Sequence, residues 1–410
     1  MPLIPVFLFE MAPPPPVAAV VAPVDVTAPP PEPPPASPIP PGGTPGASRA
    51  LQIQRPMVVM MRPPQAFSPG PPRSAPRDGG KGIQVFGEVF ARYAHERWNE
   101  QAARSFDIPR ARLGADAVLR GPFAARVLIE TVRSAAPGSL YGVDGDSIVL
   151  RAREIYGEAR SPEVWPVNLR LRLGLLPTLA ITPLEQMWGR RVVAPTAQEA
   201  STLLSPADLG AALLVSLPHQ LGEVALAVVN GEGFTQHEQN EGKNVQARLW
   251  LTPLDTLLPP SLSVKVLAHA EDGSQGPTQA RADRYVGGLS VEHTHGAIGV
   301  DGTFANGAYG NSGQFARTAS AWVRVGPFSG LEAVGRVDQI DPNRRSNGGD
   351  DRVTAWQGGI GYHGELEPGP TEQTFELFLT YRHSNGGPLA RASDPRQPQR
   401  GPRLDLKVSF

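Results

Sequence analysis

Hydrophobic and polar residues alternate with a period of two through most of the chain beyond residue 82. The last eight residues show this best, because Leu404, Leu406, Val408 and Phe410 fall on one face while Arg, Asp, Lys and Ser alternate with them on the other. A strand buried in a soluble core rarely carries a fully polar second face. A strand with lipid on one side and water on the other does so regularly. The pattern therefore predicts membrane-spanning strands.

The same alternation predicts sixteen strands, each of which would take about twenty residues together with its connection. A strand of roughly ten residues crosses a bilayer at a tilt. The predicted strands are 83–95, 108–120, 122–133, 148–159, 165–176, 207–217, 222–230, 244–252, 262–270, 282–293, 297–306, 314–325, 330–340, 352–364, 372–383 and 402–410.

The connections between these strands alternate in length. Short turns are expected at 121–122, 160–163, 218–222, 293–296 and 326–330. Longer loops are expected at 97–107, 134–147, 177–206, 231–243, 271–281, 341–351 and 384–401. Outer-membrane barrels have short turns on the periplasmic side and longer loops outside, and an even strand count places both barrel ends in the periplasm. Phe410 would then act as the C-terminal assembly signal, in an interfacial aromatic band with Phe123, Trp165 and Phe328.

The pattern thus predicts an all-β fold, a closed antiparallel transmembrane β-barrel of about 16 strands in the outer membrane, in contact with its lipids. A large soluble β-sandwich is the alternative. A sandwich would explain the alternation of polar and apolar residues. It would not explain why Leu, Val and Ala face outward in every strand, or why short and long connections alternate. Because lipid offers no hydrogen bonds to a strand edge, the sheet must close on itself.

Proline divides the chain into two parts. Of the 46 prolines, 24 lie in residues 1–80. Such a segment cannot form a helix or an internal strand. We predict a Pro-rich disordered arm at 1–81 and the barrel at 82–410; the arm is long enough to contact peptidoglycan or another periplasmic partner. The apolar stretch 3–9 is short and no basic residue precedes it, which indicates an atypical or truncated export signal or a start further upstream.

Composition excludes several classes of function. Lys and Arg number 38 and Asp and Glu 39, so the net charge of −1 argues against a nucleic-acid partner. Cysteine is absent, which excludes disulfides, thiolate metal sites and cysteine nucleophiles. No run of about 18 apolar residues exists, which argues against a transmembrane helix. A membrane β-barrel stays possible, because its strands show alternation and not high mean hydropathy.

Three short motifs carry a resemblance to the phosphate-selective porin family of Gram-negative outer membranes, and the resemblance covers most of 83–410. They are Leu-Arg-Leu-Gly-Leu-Leu-Pro at 171–177, followed by Glu185, Arg190 and Arg191; Ala-Asp-Leu-Gly at 207–210; and Val-Val-Asn-Gly-Glu-Gly at 228–233, followed by Glu-Gly-Lys at 241–243 and by Arg248. The resemblance implies a sixteen-stranded, usually trimeric, anion-preferring channel, and hence a homotrimer.

In that family the third outer loop folds inward and forms the constriction. The third long loop here, 177–206, is also the longest, and its Glu185, Arg190 and Arg191 are the expected constriction residues. The chain departs from the phosphate-selective members in one respect. Lysine occurs only at 81, 243, 265 and 407, so the constriction loop has none. A porin with a different selectivity is therefore expected.

The period of two also assigns charges to the lumen. The cations expected to line the pore and attract anions are Arg110, Arg112, Arg126, Arg151, Arg153, Arg170, Arg172, Arg248, Lys265, Arg324 and Arg336, with Arg92, Arg382, Arg403 and Lys407 also facing inward. The expected inward acids are Glu88, Asp116, Glu130, Glu292, Glu332, Asp338, Glu376 and Asp405. This excess of cations predicts small anionic solutes. The alternative is that facing Arg and Glu side chains neutralise one another. A single β-bulge would also exchange which residues of a strand face the lumen.

Other residue groups predict little chemistry. His293 and His295 have no third ligand, and the acidic 347–351 is typical of a loop tip, so we expect neither a metal nor a cofactor. His383 and Ser384 resemble part of a barrel lipid hydrolase, but adjacent strand residues face opposite sides. We expect a passive pore and not an enzyme. A lipid hydrolase and a plugged structural or anchoring barrel remain the alternatives.

Overall fold

The computed structural model describes residues 82–98, 101–119, 121–133, 148–162, 167–234, 238–308, 313–343, 352–367, 373–386 and 400–410. The predicted arm at 1–81, the loop 134–147, Trp165 and the acidic segment 347–351 lie outside these residues.

Most described residues lie in strands. Their bounds are β1 Gly82–Trp98, β2 Gln101–Val118, β3 Phe123–Arg133, β4 Ile148–Arg160, β5 Asn168–Pro177, β6 Ala207–Ser216, β7 Gly222–Val229, β8 Asn244–Leu251, β9 Leu262–Asp272, β10 Ser274–Gln275, β11 Ala280–Arg281, β12 Asp283–His293, β13 Gly296–Asn306, β14 Phe315–Phe328, β15 Leu331–Asp341, β16 Val353–Glu367, β17 Gln373–Gly386 and β18 Arg400–Ser409.

Sixteen of these strands form one closed antiparallel barrel, in which each pairs with its neighbours in the chain and β18 pairs with β1. The short strands β10 and β11 form a separate hairpin between β9 and β12. The predicted fold class and strand number are confirmed. One predicted loop, 97–107, is wrong: β1 and β2 stay paired as far as Trp98 and Gln101. The two strands stay paired through this hairpin, and a tilted contact between the rings of Tyr93 and Phe106, at 4.9 Å, supports the pairing.

The outer face of the barrel is apolar, as a lipid-facing surface must be. In β7, Leu226 is 52% exposed while its neighbours Ala225 and Ala227 are buried on the inner side. The same alternation places Ile298 and Val300 of β13 outside. The chain therefore folds as an outer-membrane type of barrel, whose backbone groups are satisfied between strands and whose apolar side chains face lipid.

The barrel closes beside the last residue. Phe410 and Gly87 exchange two backbone hydrogen bonds, of 2.9 and 3.0 Å. The Phe410 ring covers the Gly87 backbone so closely that a Cβ at that position would lie 2.4 Å from it. Phe123 and Phe328, at the same end of the barrel, are also exposed. An aromatic ring over a glycine shields backbone hydrogen bonds at the seam.

Two helices lie between β5 and β6. They are α1, Ile181–Trp188, and α2, Ala197–Ala200, and neither described helix is long and apolar enough to cross a membrane. The side chains of α1 are largely buried, and they form one apolar cluster with residues from the inner faces of many strands. The interior of the barrel therefore has a packed core, contributed largely by this segment.

A β-bulge in β4 changes which residues face inward. Leu128 pairs with Glu154, but the next residue of β3, Ile129, pairs with Ala152, so Arg153 is an extra residue. Beyond the bulge, Ile155 is exposed on the outer face and Glu154 joins Arg153 on the inner side. A bulge reverses the facing of the residues that follow it.

Candidate functional site in the barrel interior

The segment 177–206 crosses the interior of the barrel. Helix α1 lies against β9 and β13, and α2 lies against β14 and β15. The indole ring of Trp188 packs on that of Trp322 from β14, with ring centroids 5.8 Å apart. Leu267, Val286 and Val334, from the inner faces of β9, β12 and β15, belong to the same buried cluster. We call this side of the barrel, β9 and β12–β15, the apolar wall after that cluster, although the same inner faces also carry charged residues such as Glu332 and Arg324.

A turn after α1 sends two adjacent arginines in opposite directions. Gly189 ends the helix with φ of 66°, a left-handed conformation that favours glycine. Arg190 then donates to both carboxylate oxygens of Glu332 on β15, at 2.5 and 2.9 Å. Arg191 instead bonds Glu185 and Glu199 of its own segment. The turn thus fixes the segment to one side of the barrel and presents charge to the other.

The opposite side is formed by the inner faces of β2, β3 and β4, which we call the arginine wall. Its centre is Glu130, which is 0% exposed. Arg151 donates to it at 2.8 and 3.0 Å, and Arg153 at 3.3 Å. Arg110 and Arg112 each lie 3.5 Å from the same carboxylate. Four guanidinium groups therefore share one buried acid, so most of their charge must be balanced by other groups.

The segment 177–206 contacts this wall directly. Arg110 Nη2 donates to Glu199 Oε1 at 3.0 Å. Arg153 lies 3.6 Å from Glu185 and 3.8 Å from Glu199. Burial alone would raise the pKa of the Glu199 carboxyl, but the Arg191 guanidinium, with Arg110 and Arg153, holds that pKa below its ordinary value. Glu199 is therefore charged at neutral pH, and ion pairs join the two sides of the lumen.

A second charged group continues along β4–β8. Glu223 accepts hydrogen bonds from Arg170 and Arg248, so one carboxylate serves two guanidiniums. Glu158 is placed inside by the bulge and accepts from Arg172 at 2.7 Å. These pairs extend the polar surface from the arginine wall toward the short turns.

Seven of the other predicted lumen cations also lie within 4 Å of carboxylates, whereas Arg382 has no such pair among the described residues. Those pairs are Arg126 with Asp116 and Glu154, Lys265 with Glu292, Arg324 with Glu292 at 3.9 Å, Arg336 with Asp338, Arg92 with Asp405, Arg403 with Glu96 and Lys407 with Glu376.

The predicted excess of lumen cations is much smaller in the structure, because several inward acids were missed. Glu154 and Glu158 were missed through the bulge in β4. Three others, Glu96, Glu271 and Asp341, lie one residue past the predicted ends of strands that run further in the structure. Other missed acids include Glu199, Glu223 and Asp301, the last of which accepts from Gln198.

The residues considered for enzymatic or metal chemistry are not brought together. The His383 ring lies 5.3 Å from that of Trp356 on the outer face, whereas Ser384 is buried on the opposite face. The rings of His293 and His295 lie at a turn, 5.6 Å apart. Within the described residues, no group of three or more His, Asp and Glu side chains could hold a metal ion.

Comparison with known proteins supports the fold. No protein-family model matches the sequence, and no curated protein matches it significantly. Among solved structures, the outer-membrane porin OmpF of Salmonella typhi, in complex with daunomycin, is similar with a TM-score of 0.55 and 10% identity, over 81% of this chain and 98% of that one. A loop-deletion mutant of OmpT, an outer membrane protein of Vibrio cholerae, gives a TM-score of 0.51 and 10% identity, over 80% and 99%.

At these identities the likeness is one of fold alone. The chain has the architecture of the sixteen-stranded outer-membrane porins, and barrels of this type lie in the outer membrane of Gram-negative bacteria. The narrower resemblance to phosphate-selective members stays a prediction.

Proposed function

We propose that this protein is a passive outer-membrane channel for small solutes, preferring anions, with a lumen narrowed by the segment 177–206. The observation that carries the proposal is the position of that segment. It is fixed to the apolar wall by Trp188 and Arg190 and turns Glu185, Arg191 and Glu199 toward the arginine wall. A solute crossing the barrel at this level would meet charged side chains from both sides.

The anion preference rests on a local charge balance. Around the narrow section five guanidiniums, of Arg110, Arg112, Arg151, Arg153 and Arg191, face four carboxylates, of Glu88, Glu130, Glu185 and Glu199. A surplus of one positive charge in a water-poor section would attract anions and repel cations. The preference therefore arises at the constriction, and the rest of the lumen is close to neutral.

The chemistry of the cations favours oxyanions in general over phosphate in particular. All five are arginines, whose planar forks bind carboxylate and phosphate with two parallel hydrogen bonds. The constriction segment contributes no lysine. Assembly into a homotrimer and a periplasmic contact through the arm at 1–81 are further parts of the proposal, which rest on the resemblance and on composition.

The test is the current through the full chain, refolded and inserted in a planar bilayer, under a gradient of KCl. We expect discrete conductance steps and a reversal potential that favours chloride. A cation-favouring reversal potential would refute the anion preference and leave a channel. An Arg110→Gln variant should move the reversal potential toward cations. Arg317→Gln is the matched control, because Arg317 pairs with Asp341 outside the constriction.

One observation favours a second candidate, a barrel closed by its own segment. The ion pairs from Arg110 and Arg153 to Glu199 and Glu185 already join the two sides of the lumen. A plugged barrel would give no conductance steps even when circular dichroism shows that its sheet is folded. The same bilayer recording therefore decides between an open channel and a plugged barrel.

A further inference from the structure

The arginine wall holds hydrogen-bond donors that lack an acceptor. Arg110 Nη1 and Arg112 Nη2 are buried and have no hydrogen-bond partner among the described residues. Buried guanidinium N–H groups without partners are costly. Since these donors lie beside the carboxylates of the crossing segment, they mark a place where one further acceptor group is favourable.

Glu199 already acts as such an acceptor for neighbouring atoms. One of its oxygens accepts from Arg110, at 3.0 Å, and from Arg191, while the other oxygen also accepts from Arg191. Arg153 lies 3.8 Å from the same group. A carboxylate on a solute would make the same bonds, so Glu199 occupies the position of an anionic solute.

The segment that carries Glu199 is held in place by other contacts. Trp188 packs on Trp322, Arg190 is bonded to Glu332, and Gln198 donates to Asp301 at 2.8 Å. None of these contacts involves Glu199. Its side chain can therefore leave the arginines by rotation about its own side-chain bonds while the backbone stays fixed.

We propose that the Glu199 carboxylate is an internal ligand that closes the constriction, and that the channel conducts oxyanions by exchanging them for Glu199 at Arg110, Arg153 and Arg191. This inference rests on the proposed channel function and adds the substrate class. The favoured solutes carry a carboxylate or phosphate group, because two oxygens can replace both bonds of Glu199 at a guanidinium fork. Chloride offers a single acceptor and replaces the carboxylate poorly.

The test compares the conductance of the full chain in KCl, potassium succinate and potassium phosphate at equal ionic strength, each divided by the bulk conductivity. In the wild type we expect the succinate and phosphate values to exceed the chloride value. In Glu199→Gln the chloride conductance should rise about tenfold, the effect of weakening one charged hydrogen bond. The three normalised values should then become equal.

Glu238→Gln is the matched control. It removes the same charge from a more exposed pair with Lys243 and should leave all three conductances unchanged. If Glu199→Gln does not fold, Glu199→Asp shortens the side chain by one methylene while it keeps the charge, and it should raise the chloride conductance by a smaller factor. The wild-type comparison of salts needs no variant.

The outcomes separate the two proposals. Equal normalised conductances in the wild type, or a chloride conductance unchanged by Glu199→Gln, would overturn the exchange inference while the channel stands. A folded wild-type barrel and a folded Glu199→Gln barrel that both carry no current in any salt would refute the channel itself. If only the succinate conductance exceeded the chloride conductance, the substrate class would be restricted to carboxylates. If only the phosphate conductance did so, the class would be restricted to phosphates.

Discussion

The apolar wall and the arginine wall are built by strands of the same barrel, and they differ on one side only. Their outer faces are alike, since Ile298 and Val323 of the apolar wall and Leu113 and Val127 of the arginine wall are all exposed to lipid. Their inner faces differ, because charged groups dominate the arginine wall, whereas the apolar wall carries a buried cluster of Leu, Val and Trp side chains among its own ion pairs. The outer face is thus determined by the bilayer, which is the same for every strand, and the inner face by what lies against it.

The two walls have complementary effects on the crossing segment. The apolar wall buries one side of α1, including Trp188 and Met187, and this burial holds the segment in place. The arginine wall meets the segment through ion pairs, whose geometry can change without loss of packing. A constriction with a fixed backbone and exchangeable side-chain contacts follows from this division.

The largest effect should come from removing the anchor on the apolar wall. Trp188 is 1% exposed, and Trp188→Ala should lower the free energy of unfolding by about 3–5 kcal/mol through the cavity it leaves. The loosened segment should also raise the single-channel conductance. Urea unfolding in lipid vesicles and planar-bilayer recording measure the two effects.

Trp356→Ala is the control for this substitution, because Trp356 is 45% exposed on the outer face. It should cost less stability and leave the conductance unchanged. If Trp188→Ala cost no more than Trp356→Ala, the packing of α1 on the apolar wall would not be what holds the segment.

A smaller loss is expected at the centre of the arginine wall. Glu130→Gln leaves Arg110, Arg112, Arg151 and Arg153 without their shared carboxylate, and removing one partner of a buried ion pair costs about 3 kcal/mol at the lower end of its range. The lower end applies because Glu199 and Glu88 still neutralise two of the arginines. The loss should appear in the same urea titration, with a reversal potential moved further toward anions.

Asp116→Asn provides the comparison on the same wall. Its side chain is 31% exposed and pairs with Arg126, so its loss should cost less than about 1 kcal/mol. Equal costs for the two substitutions would show that water reaches Glu130, and the arginine wall would then be a solvated surface and not a buried network.

How much could be predicted from sequence differs between the two faces of the barrel. The strands and their number follow from the period of two, because lipid imposes an apolar residue at every second position. The predicted loop 97–107 was wrong because β1 and β2 stay paired beyond the residues whose alternation marks a strand. The acids Glu96, Glu271 and Asp341 were missed for the same reason, at strand ends that alternation alone could not locate.

The interior contacts depend on residues far apart in sequence. Nothing in the alternation of β14 or β15 indicates that Trp322 meets Trp188 or that Glu332 meets Arg190. One local signal was available, since apolar residues at 181, 184, 187 and 188 have the spacing of a helix with one buried face. That spacing predicts α1, but not the wall against which it packs.

The last prediction concerns the bulge at Arg153 and should have almost no effect on stability. Strict alternation from Arg151 would place Ile155 inside and Glu154 outside, and the bulge reverses both. Because the chain has no cysteine, Glu154→Cys and Ile155→Cys each introduce a single thiol. A membrane-impermeant thiol reagent should label the cysteine at 154 from the lumen and leave the one at 155, which faces lipid, unreacted. The reverse labelling would remove Glu154 and Glu158 from the lumen, and the anion preference would then extend along the whole wall of β2–β5 instead of being confined to the constriction.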